Sequence, residues 1–155
     1  MIKTFEELEQ KQASCASCLE NKFNCKDGKR HVLFCGDTGC MSTNSAAVRE
    51  KFEALVAEKG LNDKIEVHQV GCFGLCSQGP FIRIFPEDTL YRMVKVEDVE
   101  EIVEKAIAKG EIVERLLYVD PATNEKIVNQ DDITFYKKQI RVALQSRKNQ
   151  PRRHQ

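Results

Sequence analysis

No stretch of this 155-residue sequence is apolar over the length a membrane-spanning helix needs, which is ~20 residues. Insertion by a hydrophobic helix is therefore excluded. The opening MIKTFEELEQ has no apolar segment of the kind a secretory signal carries, so the expected location is cytoplasmic. Charge of one sign is also lacking: 24 Lys and Arg balance 24 Asp and Glu, leaving no global field to draw the chain to nucleic acid or anionic lipid. Neither a G-x-G-x-x-G fingerprint nor a P-loop is present. Without a nucleotide site, no catalytic activity is expected of this chain alone.

What the sequence does have is cysteine, seven in all. An odd count argues against a fully paired disulfide framework, and a reducing compartment argues against disulfides generally. Metal or redox chemistry is the better explanation. With 41% hydrophobic and 31% charged residues, the composition suits a globular domain with a charged surface.

Three regions follow along the chain. Residues 1–29 form an N-terminal extension, where Thr4-Phe5-Glu6-Glu7 fits a capping box and Ile2, Phe5 and Leu8 form a short helical stripe. A Cys-rich polar stretch follows it. Residues 30–110 form the core. Val32-Leu33-Phe34 reads as a strand buried on both faces, and Ile65–Val70 as a second strand. Between them, residues 43–59 read as a helix burying Val48, Phe52, Leu55 and Val56, with caps available from Ser42 to Ser45 and a stop at Gly60. Phe81–Phe85 and Leu90–Val94 form a hairpin around Pro86–Thr89. Val99, Ile102, Val103, Ala106 and Ile107 then line a helix ending at Gly110. The order β-α-β-β-β-α predicts an α/β, thioredoxin-like core. Residues 111–155 are an irregular C-terminal extension, with seven Lys or Arg and no acidic residue from Lys137 onward. No aromatic interleaving accompanies those charges, so a solvated or partner-facing terminus is expected there, not a nucleic-acid site.

The core cysteines fall in two pairs, Cys35-x4-Cys40 and Cys72-x3-Cys76, with 31 residues between them. Cys35 ends the first strand and Cys72 follows the second. In a parallel βαβ unit both strands end at one sheet edge, so two neighbouring loops present four thiols to one site. Soft thiolates select zinc, copper(I) and iron–sulfur clusters. Gly36, Gly39, Gly71, Gly74 and Gly79 crowd these loops and allow the backbone to approach a bulky inorganic centre. A helix starting near Thr43 would turn its positive end toward that anion. Phe73, Leu75, Phe81 and Met41 are candidates to exclude water. A zinc-stabilised assembly module without redox activity is the alternative, although zinc ribbons favour C-x2-C pairs and neither core pair has that spacing. A [2Fe–2S] cluster fits better.

HVLFCGDTGCMSTNS and VGCFGLCSQGPFIRIFPEDTLYRMV resemble the thioredoxin-like [2Fe–2S] ferredoxin domains. The likeness is strongest to the version in front of the NADH- and flavin-binding subunit of NAD-dependent, electron-bifurcating hydrogenases, which is related to the flavoprotein subunit of respiratory complex I. It extends through Gly79-Pro80, Val96–Val99, Val113–Tyr118 and Phe135–Gln139, about residues 30–142. The resemblance implies that Cys35, Cys40, Cys72 and Cys76 each ligate iron, and that the chain moves one electron at a time. It implies a flavoprotein partner and other oxidoreductase subunits, with pairing of two copies also open. No flavin or NADH motif lies in the sequence, so it reads as one domain of a longer flavoprotein or as a free-standing version. Leu116, Leu117, Tyr118, Phe135 and Tyr136, with Lys137, Lys138 and Arg141, are the candidate docking residues.

Two features lie outside that pattern. Cys15-x2-Cys18-x6-Cys25 has one zinc-like spacing, and His31 is a candidate fourth ligand, against exposed reduced thiols on an arm. His68, four residues before Cys72, is either a proton-coupled neighbour of the cluster or an ordinary strand residue facing solvent.

Overall fold

The structure is a computed structural model, and it describes residues 4–26 and 28–139. Its centre is a four-stranded mixed sheet in the order β2-β1-β3-β4, with β1 at Arg30–Cys35, β2 at Ile65–Val70, β3 at Ile82–Phe85 and β4 at Thr89–Tyr91. β1 and β2 run parallel with Arg30 opposite Ile65 and Cys35 opposite Val70. β3 and β4 form the expected antiparallel hairpin, and β3 lies antiparallel to β1.

The crossover from β1 to β2 contains two helices, α2 at Thr38–Met41 and α3 at Ser45–Glu58. On α3, Val48, Phe52, Leu55 and Val56 are buried, the i, i+4, i+7, i+8 positions of one helical face. They pack with Val32, Phe34, Ile82 and Ile84 in the main core, where each such side chain contributes about 1.5–3 kcal/mol. The helix after the sheet starts as α4, Asp98–Glu101, and continues as π-wound turns through Lys109. Val99, Ile102, Val103, Ala106 and Ile107 cover the same core. Gly60 and Gly110 follow the two helices in left-handed backbone, the conformation that ends a helix and that glycine adopts without strain.

The N-terminal helix is longer than the capping box alone suggested. α1 spans Phe5–Phe23, begins with the Glu7 amide donating to Thr4 Oγ1 at 3.2 Å, and carries Cys15 and Cys18 on its exposed surface. Of the apolar stripe expected there, Phe5 and Leu8 are exposed and do not pack on the core, and Ile2 lies outside the described residues.

The C-terminal extension departs from irregularity in its described part. β5 at Tyr118–Val119 and β6 at Lys126–Ile127 pair as a small antiparallel hairpin, and α5 follows at Thr134–Lys137. Residues 111–139 also share the core with what precedes them: Val113, Leu116 and Leu117 belong to the main apolar cluster. The Arg92 amide donates to the Leu116 carbonyl and the Leu90 amide to the Val128 carbonyl, both at 2.8 Å. The extension thus lies along the β4 edge. Asp120 ties its end down, accepting from the amides of Ala122 and Thr134 at 2.8 Å each. Among the described residues no helix is long and apolar enough to cross a membrane.

Candidate metal centre

Parallel pairing does at the sheet edge what the sequence spacing promised. Cys35 is the last residue of β1, and Val70, opposite it, closes β2 two residues before Cys72. The two segments leaving that edge carry four thiols to one place. Cys35 and Cys40 bring their sulfurs to 2.9 Å, and Cys72 and Cys76 theirs to 3.3 Å. Between the pairs the approach is close enough that backbone, not side chain, must fill the gap. A Cβ added at Gly79 would lie 2.8 Å from Cys40 Sγ, and one at Gly39 would lie 3.2 Å from Cys76 Cβ.

Cys40 is not on a loop, as the spacing suggested. It sits within α2, whose first turn is capped by Asp37 through a 2.8 Å bond from the Thr38 amide. α3 starts later than the Thr43 expected, after Asn44 in left-handed backbone, and none of the four candidate caps bonds its first amides through a side chain. Ser45 instead turns its hydroxyl to the Cys35 carbonyl, pinning the helix start to the end of β1. That role carries no sequence signal, because a serine ahead of an apolar helical face reads as a cap.

The sulfurs feel one another. Burial, and then the neighbouring Cys35 thiol, push the Cys40 thiol up to about 12, with the charges of Cys76 and Cys72 adding to the effect. The Cys72 thiol, by hydrogen bond and then by charge, raises Cys76 above the ordinary thiol range, and burial and Cys35 contribute further. Four thiolates gathered here repel, so a cationic centre is what would relieve them. The Gly74 amide already points at Cys72 Sγ, 3.2 Å away, as amides do around sulfur in iron–sulfur sites.

A second apolar cluster surrounds the buried thiol pair. Cys35 and Cys40 are buried with Phe81, Leu90, Tyr118 and Ile133, and Phe73, Leu75 and Tyr136 pack against them. Three of the four expected water-excluding residues are therefore in place, whereas Met41 is 46% exposed and shields little. The extension supplies much of the wall: the Tyr136 hydroxyl donates to the Phe73 carbonyl, and the Phe135 ring approaches Gly74. Sequence reasoning assigned these residues to docking. Leu116, Leu117 and Tyr118 are at most 5% exposed and are not available as surface anchors. Phe135, 44% exposed, remains available, Lys137 pairs with Asp132 at 3.1 Å, and Arg141 lies outside the described residues.

The sequence matches the thioredoxin-like [2Fe–2S] ferredoxin family over residues 20–107. The chain belongs to that family. A [2Fe–2S] ferredoxin of Clostridium pasteurianum is 44% identical over 102 residues, which cover 66% of this chain and 88% of the relative. A [2Fe–2S] ferredoxin of Aquifex aeolicus is 38% identical over 73 residues, 44% of this chain and 66% of that one. The solved thioredoxin-like [2Fe–2S] ferredoxin of Aquifex aeolicus superimposes with a TM-score of 0.53 at 33% identity, covering 57% of this chain and 88% of that structure. The family's cofactor is a [2Fe–2S] cluster.

The donors present fit that cofactor. Each iron of such a cluster takes two protein ligands, and the sulfurs form two close pairs. A single tetrahedral zinc needs four donors around one point, yet no three of these sulfurs lie mutually within 4.8 Å.

The remaining candidates resolve differently. No group of three donors among the described residues includes Cys15, Cys18 or Cys25. His31 is buried within β1, and its Nδ1 lies 3.1 Å from His68 Nε2. His68 is a β2 residue, 24% exposed at its side chain, and one of a pair with His31.

Proposed function

We propose that Cys35, Cys40, Cys72 and Cys76 hold the [2Fe–2S] cluster and that the chain passes single electrons as a module of an NAD-linked hydrogenase or related electron-bifurcating oxidoreductase. The observation that carries the first part is the convergence of two close thiol pairs at one edge of a parallel βαβ unit. When bound, the cluster supplies reversible one-electron storage. The protein's own contribution is to anchor, shield and expose. β1 and α2 fix Cys35 and Cys40 in the apolar interior, and Phe81, Phe73 and Leu75 keep water from them. Cys72 and Cys76 stand exposed and give the site its face toward a partner. The backbone amide at Gly74 stabilises negative charge on Cys72.

The hydrogenase-linked reading rests on the resemblance of residues 113–118 and 135–139 to the lead-in of a flavoprotein body. The packing of that extension against the Cys72 loop, through Tyr136 and Phe135, is consistent with it. In such an assembly a flavin handles the two-electron hydride step and this chain accepts electrons singly.

Anaerobically purified protein is expected to contain two irons and two acid-labile sulfides per chain and to give an S = ½ paramagnetic signal after one-electron reduction. Stoichiometric zinc without sulfide would refute the ligand assignment. Stopped-flow bleaching tests the partner: dithionite should reduce the isolated chain and NADH should not, until a flavoprotein subunit is added. Rapid reduction of the flavin-free chain by NADH would refute the division of labour.

A further inference from the structure

A second group of metal-type donors lies on the sheet, apart from the thiols. His31 Nδ1, His68 Nε2 and a carboxylate oxygen of Glu66 all lie within 4.8 Å of one another, the one such triplet among the described residues. We propose that these three side chains form a binding site for a single divalent transition metal of the zinc class.

The backbone builds the site. In the parallel β1–β2 ladder His31 stands opposite Glu66 and Leu33 opposite His68. Side chains alternate between faces along a strand, so His31, Glu66 and His68 share one face. The opposite face carries Val32 and Phe34 into the main core. Two paired strands thus fix all three Cα positions, and donors on rigid strands hold ligand geometry better than donors on loops.

The separations bracket those of metal ligation. His31 Nδ1 lies 3.1 Å from His68 Nε2, His68 Nε2 lies 3.4 Å from Glu66 Oε1, and His31 Nδ1 lies 3.8 Å from Glu66 Oε2. Donors at tetrahedral zinc, with bonds of ~2.0–2.1 Å, sit about 3.3–3.5 Å apart. The two imidazoles are stacked, with centroids 5.3 Å apart and planes at 19°, and the facing nitrogens are His31 Nδ1 and His68 Nε2.

Burial is graded in a way that suits an ion arriving from solvent. The His31 side chain is 2% exposed, that of His68 24% and that of Glu66 39%. His31 forms the fixed base, and Glu66 and His68 form the open side where a water completes the coordination. Two neutral imidazoles and one carboxylate suit zinc, copper(II) or nickel(II), not the all-oxygen shells of magnesium or calcium.

Calorimetric titration of zinc chloride into the purified full chain tests the site. Alongside it, His68→Ala, Glu66→Gln and a triple Cys15→Ser, Cys18→Ser, Cys25→Ser variant separate this site from the thiols of α1 and the turn after it. Far-ultraviolet circular dichroism reports the fold without relying on the cluster. Zinc affinity should fall by at least about ten-fold in His68→Ala and in Glu66→Gln and be unchanged in the triple variant. Because Glu66 is partly exposed, Glu66→Gln keeps the test decisive even where His68→Ala disturbs the strand. Equal affinity in the full chain and Glu66→Gln, loss of binding in the triple variant, or no zinc binding to the full chain would each overturn the proposal.

Discussion

The two thiol pairs share one sheet edge but not one environment. Cys35 and Cys40 are each 1% exposed, held by the end of β1 and by α2. Cys72 and Cys76 are exposed, carried by a loop and a single 3-10 turn. One half of the site is therefore part of the core, and the other is a loop laid over it. Disturbing the first costs packing as well as a proposed ligand, whereas water and neighbouring groups can adjust around the second.

That contrast is broken most directly at the four proposed ligands. Cys35→Ala and Cys40→Ala should leave iron and labile sulfide near zero, since no replacement ligand reaches the buried positions. Cys72→Ser and Cys76→Ser should keep a measurable, altered visible spectrum, because an exposed hydroxyl can substitute in part. Equal loss in all four, measured by iron analysis, would abolish the distinction between the halves.

A smaller effect is expected at the glycines. In Gly79→Ala the new Cβ meets Cys40 Sγ at 2.8 Å, against a sulfur that the core holds still, for a cost of about 1–3 kcal/mol. Gly39→Ala meets Cys76 at 3.2 Å, but on the exposed half, at the start of the 3-10 turn. Thermal unfolding should rank Gly79→Ala well below Gly39→Ala, and the reverse order would place the rigid half on the wrong side.

Proton linkage sharpens the comparison further. In the folded, cluster-free chain Cys40 keeps its proton up to about 12, while an ordinary thiol ionises near 9.0. Between these values the unfolded chain has shed a proton that the fold retains. The cluster-free chain should therefore lose stability as pH rises from about 9 toward about 12, with no contribution from this group at lower pH. Urea midpoints at pH 8 and pH 10 measure it, and Cys40→Ser should flatten the slope. A slope unchanged in that variant would assign the effect elsewhere, with the raised tyrosines Tyr91 and Tyr118 the first candidates.

The smallest change is Tyr136→Phe, which deletes the bond to the Phe73 carbonyl for about 0.5–1.5 kcal/mol. The expected readout is faster bleaching of the cluster in air with little change in unfolding temperature. An unchanged bleaching rate would show that the extension does not steady the exposed half.

Much of this was legible because it is periodic. The face of α3, the β3–β4 hairpin and the pairing of β1 with β2 all follow from alternation and turn chemistry, and the sheet edge then brings the cysteines together. The features that escaped have no period to read. β5 and β6 are two residues each, too short to alternate, and the three-residue pairing of β4 is closed by the extension along its edge. Leu116, Leu117 and Tyr118 looked like surface anchors because nothing in the sequence shows that the β4 edge receives them. The proximity of His31 to His68 depends on strand register, which single residues do not announce.

The exposure of Cys72 and Cys76, against the burial of Cys35 and Cys40, has a kinetic consequence. A centre met through its exposed pair would offer donor and acceptor the same face. Each electron must arrive, the donor must leave, and the acceptor must then take the same surface. Turnover would follow alternating visits, so that a large excess of either partner slows the whole cycle by occupying that face.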